Sequence, residues 1–124
     1  MKRDMDLIRK IAFAVESMPS PMDSESIQID GFNAEQIAYH CELMHESGLL
    51  VAIDTQTMHS DYASFNIQRL TSKGHDFVDA ARSDSVWNKA KATIATTVGS
   101  VSLDMMIRYL KTIAGSAIGL PPDP

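Results

Sequence analysis

The stretch YHCELMHESGLL, from Tyr39 to Leu50, sets His40, Cys41, Glu42, His45 and Glu46 in close succession. Imidazole, thiolate and carboxylate groups bind zinc, and they serve as nucleophile and base. On a helix, Cys41 and His45 are four residues apart and lie near one face. His40 sits about 100° further round at 3.6 residues per turn. The zincin pattern requires His-Glu-x-x-His, whereas this sequence reads His-Cys-Glu-Leu-Met-His. A structural zinc site takes four ligands. Beyond this stretch only His59 and His75 remain, and Cys41 is the sole cysteine. A reactive thiol also needs an electropositive, partly exposed setting. Cys41 is instead predicted mid-helix and inward, beside Glu42, as small thiols usually are. Gly31, Gly48, Gly74 and Gly99 are isolated, so no phosphate-cradling loop is present. The expectation is a protein without catalytic residues, metal, cofactor or small-molecule substrate.

The elements that position these side chains follow from periodicity and caps. Leu7, Ile8, Ile11, Ala14 and Val15 have helical spacing between Asp4 and Ser17, with Asp4 or Asp6 suited to the positive end of the dipole. Pro19 and Pro21 end that helix. SIQID alternates Ile27 and Ile29 with polar residues and reads as a short strand, and Asp30–Gly31 as a turn. Asn33 opens the next helix with Gln36 as its capping-box partner. Ala34, Ile37, Ala38, Cys41 and Met44 are its predicted buried stripe, and Gly48 its stop. LLVAI and YASFNIQRL read as a hairpin around DTQTMHSD. Thr71 starts a helix over TSKGHDFVDAAR; Ser83 or Asp84 starts another over DSVWNKAKATIATT, which Gly99 breaks. Ser102 starts the last.

One domain is expected from 124 residues, of which 44% are hydrophobic and 22% charged, as in ordinary globular proteins. Its predicted parts are a core over residues 1–82, a helical extension over 83–120 and a tail over 121–124. No secretory signal follows the basic start. Asp104, Arg108 and Lys111 interrupt the apolar stretch from Val98 to Leu120, so no membrane span is expected. A single cysteine fits a reducing cytoplasm.

Charge is distributed unevenly. The net charge is −5, yet no Lys or Arg occurs between Ile11 and Gln68, where nine acids lie. The ends are each slightly basic. Such asymmetry governs the choice of partner more than the fold.

Two segments carry a resemblance. IAYHCELMHESGLL resembles the end of the recognition helix in bacterial winged-helix repressors, where a Gly-Leu step leads into the wing strand. RLTSKGHDFVDAAR resembles the Leu-Thr-x-x-Gly strand-to-helix junction of the same domains. The chain is more closely similar to a bacterial and phage family of domains of unknown function with a winged-helix-like core. MKRDMDLIRKI, YHCELMHESGLL and LTSKGHDFVDAARSDSVWNKAK carry that likeness over nearly all of residues 1–91. It implies an α+β winged-helix-like fold, a three-stranded sheet with a wing hairpin plus C-terminal helices, in a phage or mobile-element setting. It implies no established activity. One departure is evident: SMPSPMDSESIQIDGF reads as turn and strand, so the helix that normally positions the recognition helix is expected to be short or absent.

Two kinds of partner follow. Glu35, Glu42 and Glu46 form an acidic stripe with Tyr39 and Leu43 as an apolar step beside it. Aromatic and aliphatic anchors inside a charged rim suit a protein interface. The alternative is DNA. Asn33, Gln36 and His40 are residue types that read bases, but phosphate binding needs cations. Those available are Lys2, Arg3, Arg9, Lys10, Arg69 and Lys73, with Arg82, Lys89 and Lys91 beyond. Leu103, Met106, Ile107, Leu110 and Ile113 give the last helix a wide apolar arc, which suggests a homodimer. Tyr39 and Leu43 are equally suited to the chain's own core, covered by its later helices.

Overall fold

The computed structural model describes residues 1–98 and 102–117. Gly99, Ile118 and the tail over 121–124 lie outside them. The chain divides into two compact units, Met1–His75 and Asp76–Pro124.

The first unit is α+β and winged-helix-like. In chain order it contains α1 (Met5–Glu16), β1 (Met22–Asp23), a single 3-10 turn (Ser24–Ser26), α2 (Ala34–Glu46), β2 (Leu50–Asp54) and β3 (Phe65–Leu70). The sheet is antiparallel in the order β1-β3-β2. Asp4 caps α1, its carboxylate accepting from the N–H groups of Asp6 and Leu7. The buried face of α1 is Leu7, Ile8, Ile11, Ala12 and Val15; Ala14, predicted there, is only half-buried. Asn33 and Gln36 form the expected capping box on α2. Ile37, Ala38, Cys41 and Met44 face inward as predicted, while Ala34 in the first turn is exposed.

The predicted strand at SIQID is corrected. The residues that pair with the sheet are Met22 and Asp23, opposite Ile67 and Asn66. Ile27 is buried and Ile29 half-buried, but neither pairs. Alternation reported burial there, and pairing depends on a partner strand far away in sequence. The 3-10 turn lies where a positioning helix would stand, so that helix is reduced to one turn, as expected.

Phe65, Ile67 and Leu70 of β3 are buried, a spacing that strict alternation does not allow. Between Val51 and Ala52 the register slips: Val51 faces Arg69 but Ala52 faces Ile67. β3 therefore carries an extra residue, and the bulge returns Leu70 to the core side.

Two glycines lock the corner between α2 and β2. Gly48 has φ +79°, which L side chains rarely adopt. Its N–H donates to the His45 carbonyl, and the Leu49 N–H to that of Met44. Together these form a Schellman closure. Thr71 then binds this corner from the end of β3. Its N–H donates to the Leu49 carbonyl at 2.9 Å. Its hydroxyl donates to the Gly48 carbonyl and accepts from the Gly74 N–H. The Lys73 ammonium donates to the Ser47 carbonyl at 3.1 Å. A Cβ on Gly74 would lie 2.2 Å from the Leu49 carbonyl oxygen. The Gly-Leu step and the Leu-Thr-x-x-Gly junction are thus two halves of one clasp.

α3 (Ser72–Ala80) runs across the division between units. The second unit continues with α4 (Asp84–Val98) and α5 (Leu103–Ala117), which pack together. Ser83 and Ser102 cap them through the N–H groups of Val86 and Met105. Trp87 is buried and meets Phe77 edge-on, with ring centroids 5.9 Å apart.

Candidate functional site

α2 carries the side chains that resemble chemistry but divides them between its inward face, with His40 and Cys41, and its exposed side, with His45 and Glu46. Cys41 is fully buried, and that burial pushes its thiol up to about 12. A nucleophile needs the opposite shift. His45 is exposed and tilts against Phe65, with centroids 5.4 Å apart. Among the described residues, no three His, Cys, Asp or Glu side chains come together as a metal set would.

His40 is buried, which corrects its placement among possible base readers. Its Nε2 accepts from the Asp4 N–H at 2.8 Å. Its Nδ1 lies 2.7 Å from the Gln36 carbonyl oxygen and donates to it. A backbone N–H can only donate, so the ring is neutral with its proton on Nδ1. His40 therefore ties the capped start of α1 to α2. The missed signal was spacing: His40 lies three residues after Ile37 and four before Met44, inside the apolar arc. Asn33 and Gln36 are committed too. The Gln36 Oε1 accepts from the Asn33 N–H at 2.9 Å, and the Asn33 Oδ1 from the Gln36 N–H at 2.8 Å.

The outward face carries the acids. Glu35 and Glu46 are exposed; Tyr39, Glu42 and Leu43 are half-buried. Tyr39 meets the His40 ring edge-on at 5.6 Å. The five residues thus share a rim around α2, with the carboxylates at its two ends most open to solvent.

The wing spans residues 55–64. Its neck is closed by the Thr55 N–H donating to the Ser64 carbonyl, and by the hydroxyls of the same pair at 2.8 Å. Its tip is tied internally: the Ser60 N–H donates to the Thr57 carbonyl, and the Thr57 N–H to the Ser60 hydroxyl. Met58 stands 99% exposed and Ile53 58% exposed. Acids bind the wing root to the first strand region. The Ser64 hydroxyl donates to Glu25 at 3.0 Å, and the Asn66 amide to Asp23 at 3.1 Å. Asp54 accepts from the Gln56 N–H, and Asp61 is exposed.

The cations are dispersed by comparison. Lys2 and Arg3 lie in the exposed N-terminal segment. Arg9 lies over the Phe13 ring at 4.9 Å and Lys10 over that of Phe32 at 5.7 Å. Arg69 donates to the Leu70 carbonyl, and Lys73 serves the clasp. In α5, Leu103, Met106, Ile107 and Leu110 are buried in a single chain and Ile113 is half-buried. The side chains that α5 leaves exposed include Asp104, Met105, Arg108, Lys111 and Thr112.

Comparison with known proteins adds the family. A model described as "Hypothetical protein (DUF2513)" matches residues 2–101. A protein of Haemophilus influenzae, described as "Uncharacterized protein", is 36% identical over 119 residues, 95% of this chain and 96% of its own length. No solved structure matches. The chain belongs to the DUF2513 family.

Proposed function

We propose that this family member is a non-enzymatic binding protein. It acts in regulation, in a bacterial cytoplasm or that of a phage-infected host, through a protein-interaction surface on its acidic helix and wing. One observation carries the reading. In the position of a recognition helix, α2 turns Glu35 and Glu46 to solvent with Glu42 half-buried between them. No Lys or Arg lies anywhere between Ile11 and Gln68. Duplex DNA draws affinity from cations at phosphates, and this face would repel it. A basic protein surface would be attracted, with Tyr39 and Leu43 as apolar anchors.

The second reading is a DNA-binding regulator that uses the basic N-terminal helix and the residues after the wing. It is favoured by the exposure of Lys2, Arg3 and Lys10. Fluorescence anisotropy with random-sequence duplex at low salt separates the two. The expected result is no binding by the wild type and salt-sensitive binding by a Glu42→Lys, Glu46→Lys double variant. Binding by the wild type in the micromolar range, weakening with salt, would overturn the acidic-face reading.

A further inference from the structure

The sheet order leaves β2 at an edge. The Leu49 carbonyl accepts from Thr71, and the Thr55 N–H donates to Ser64, both across to the β3 side. Backbone direction alternates along a strand, and the bulge lies on β3. The N–H and C=O groups of Val51 and Ile53 therefore face β3, and those of Ala52 and Asp54 face away. No hydrogen bond reaches these outward groups among the described residues. An open strand edge is a template for another strand. The neighbouring side chains suit a guest: Ile53 and Met58 are apolar and exposed, while Asp54 and Asp61 are acidic and exposed.

We propose that β2 receives an extended, Lys- or Arg-rich segment of a partner protein as a fourth strand of the sheet. The outward groups of Ala52 and Asp54 supply the ladder, Ile53 and Met58 the apolar contact, and the wing acids the preference for a basic sequence. Charge decides between this guest and a second copy of the chain. A second copy would bring its own nine-acid block, free of Lys and Arg, against the first. The proposal rests on the acidic-face reading and sharpens it to one strand edge.

The test uses the full ¹⁵N-labelled chain and a capped probe peptide, Lys-Val-Lys-Ile-Lys-Val-Lys. A control has alternate peptide nitrogens methylated, which keeps charge and side chains but removes strand donors. The expected result is amide shifts centred on Ala52 and Asp54, with affinity falling about tenfold or more for the methylated peptide. An Ala52→Pro variant removes one outward N–H, as edge strands tolerate, and should weaken binding similarly. Equal binding of both peptides, or shifts confined to α2, overturns strand addition and leaves the acidic-face reading standing. No shift at millimolar peptide also overturns it. So does a peptide-free dimer with protected Ala52 and Asp54 amides, which would make a second copy the occupant. Failure of the acidic-face reading shows separately, as wild-type binding to duplex DNA.

Discussion

The two ends of the β2–β3 hairpin are built on opposite terms. At its base, the corner Ser47–Gly48–Leu49 is gripped by Thr71, Lys73 and Gly74, with a backbone approach that admits no extra carbon. At its tip, residues 55–64 bond mainly to one another, and Met58 touches almost nothing. The base spends its polar groups on the fold. The tip commits its own to itself, and on the adjoining edge of β2 the outward backbone groups of Ala52 and Asp54 take no hydrogen bond among the described residues. An exposed loop standing on a fixed root is how a scaffold presents a binding element.

Thiol labelling tests the contrast most strongly. In a Met58→Cys variant the new thiol at the tip should react with an aromatic disulfide reagent at pH 8 as a free thiol does. Cys41, buried on the α2 helix that leads into the base, should lag by about a thousandfold, because its value near 12 stands about three units above the ordinary 9.0. In urea the two should react alike. The same shift sets a sign for stability. The folded thiol keeps its proton to higher pH than the unfolded one, so its contribution is intact below about 9 and is lost as pH rises towards 12. Urea titrations at pH 8 and pH 11 should show a smaller alkaline loss in Cys41→Ala than in the parent; equal losses would refute this.

Substitutions within the clasp come next. Gly74→Ala should cost about 3 kcal/mol or more in urea denaturation, since backbone must move away from a Cβ at 2.2 Å. A loss under about 1 kcal/mol would mean that the corner yields. Thr71→Val keeps the shape but removes the hydroxyl that serves Gly48 and Gly74, and should cost about 1–2 kcal/mol. Gly48→Ala has open space around it, so only the left-handed backbone resists, at about 1 kcal/mol. At the other end Met58→Ser should change stability by less than about 0.5 kcal/mol. A larger loss there would erase the distinction between root and tip.

What could be read beforehand divides along a similar line. Caps and helical stripes are local: the Asn33–Gln36 box, the Gly48 stop and the starts at Ser83 and Ser102 all follow from neighbours within a turn. The acidic character of α2 and the wing is equally plain in a sequence without Lys or Arg from Ile11 to Gln68. Pairing was not legible, because Met22 and Asp23 become a strand only by meeting Ile67 and Asn66. Nor was the bulge, which depends on how β2 and β3 align. His40 was misplaced for a related reason. Its polarity suggests the surface, and only the distant N–H of Asp4 explains its burial. The α5 residues considered for a dimer show the converse, since an apolar arc does not declare which surface will cover it.

The bond between Asp4 and His40 also gives the molecule a built-in spectroscopic reporter. Its Nδ1 proton is held against the Gln36 carbonyl inside the core. Such a proton should exchange slowly enough with water to give a resolved downfield line in a proton NMR spectrum. That line would depend on helices 36 residues apart in sequence being docked. A single resonance, free of any label, would then tell whether a variant or a bound partner had loosened the N-terminal helix from the one that carries the acids.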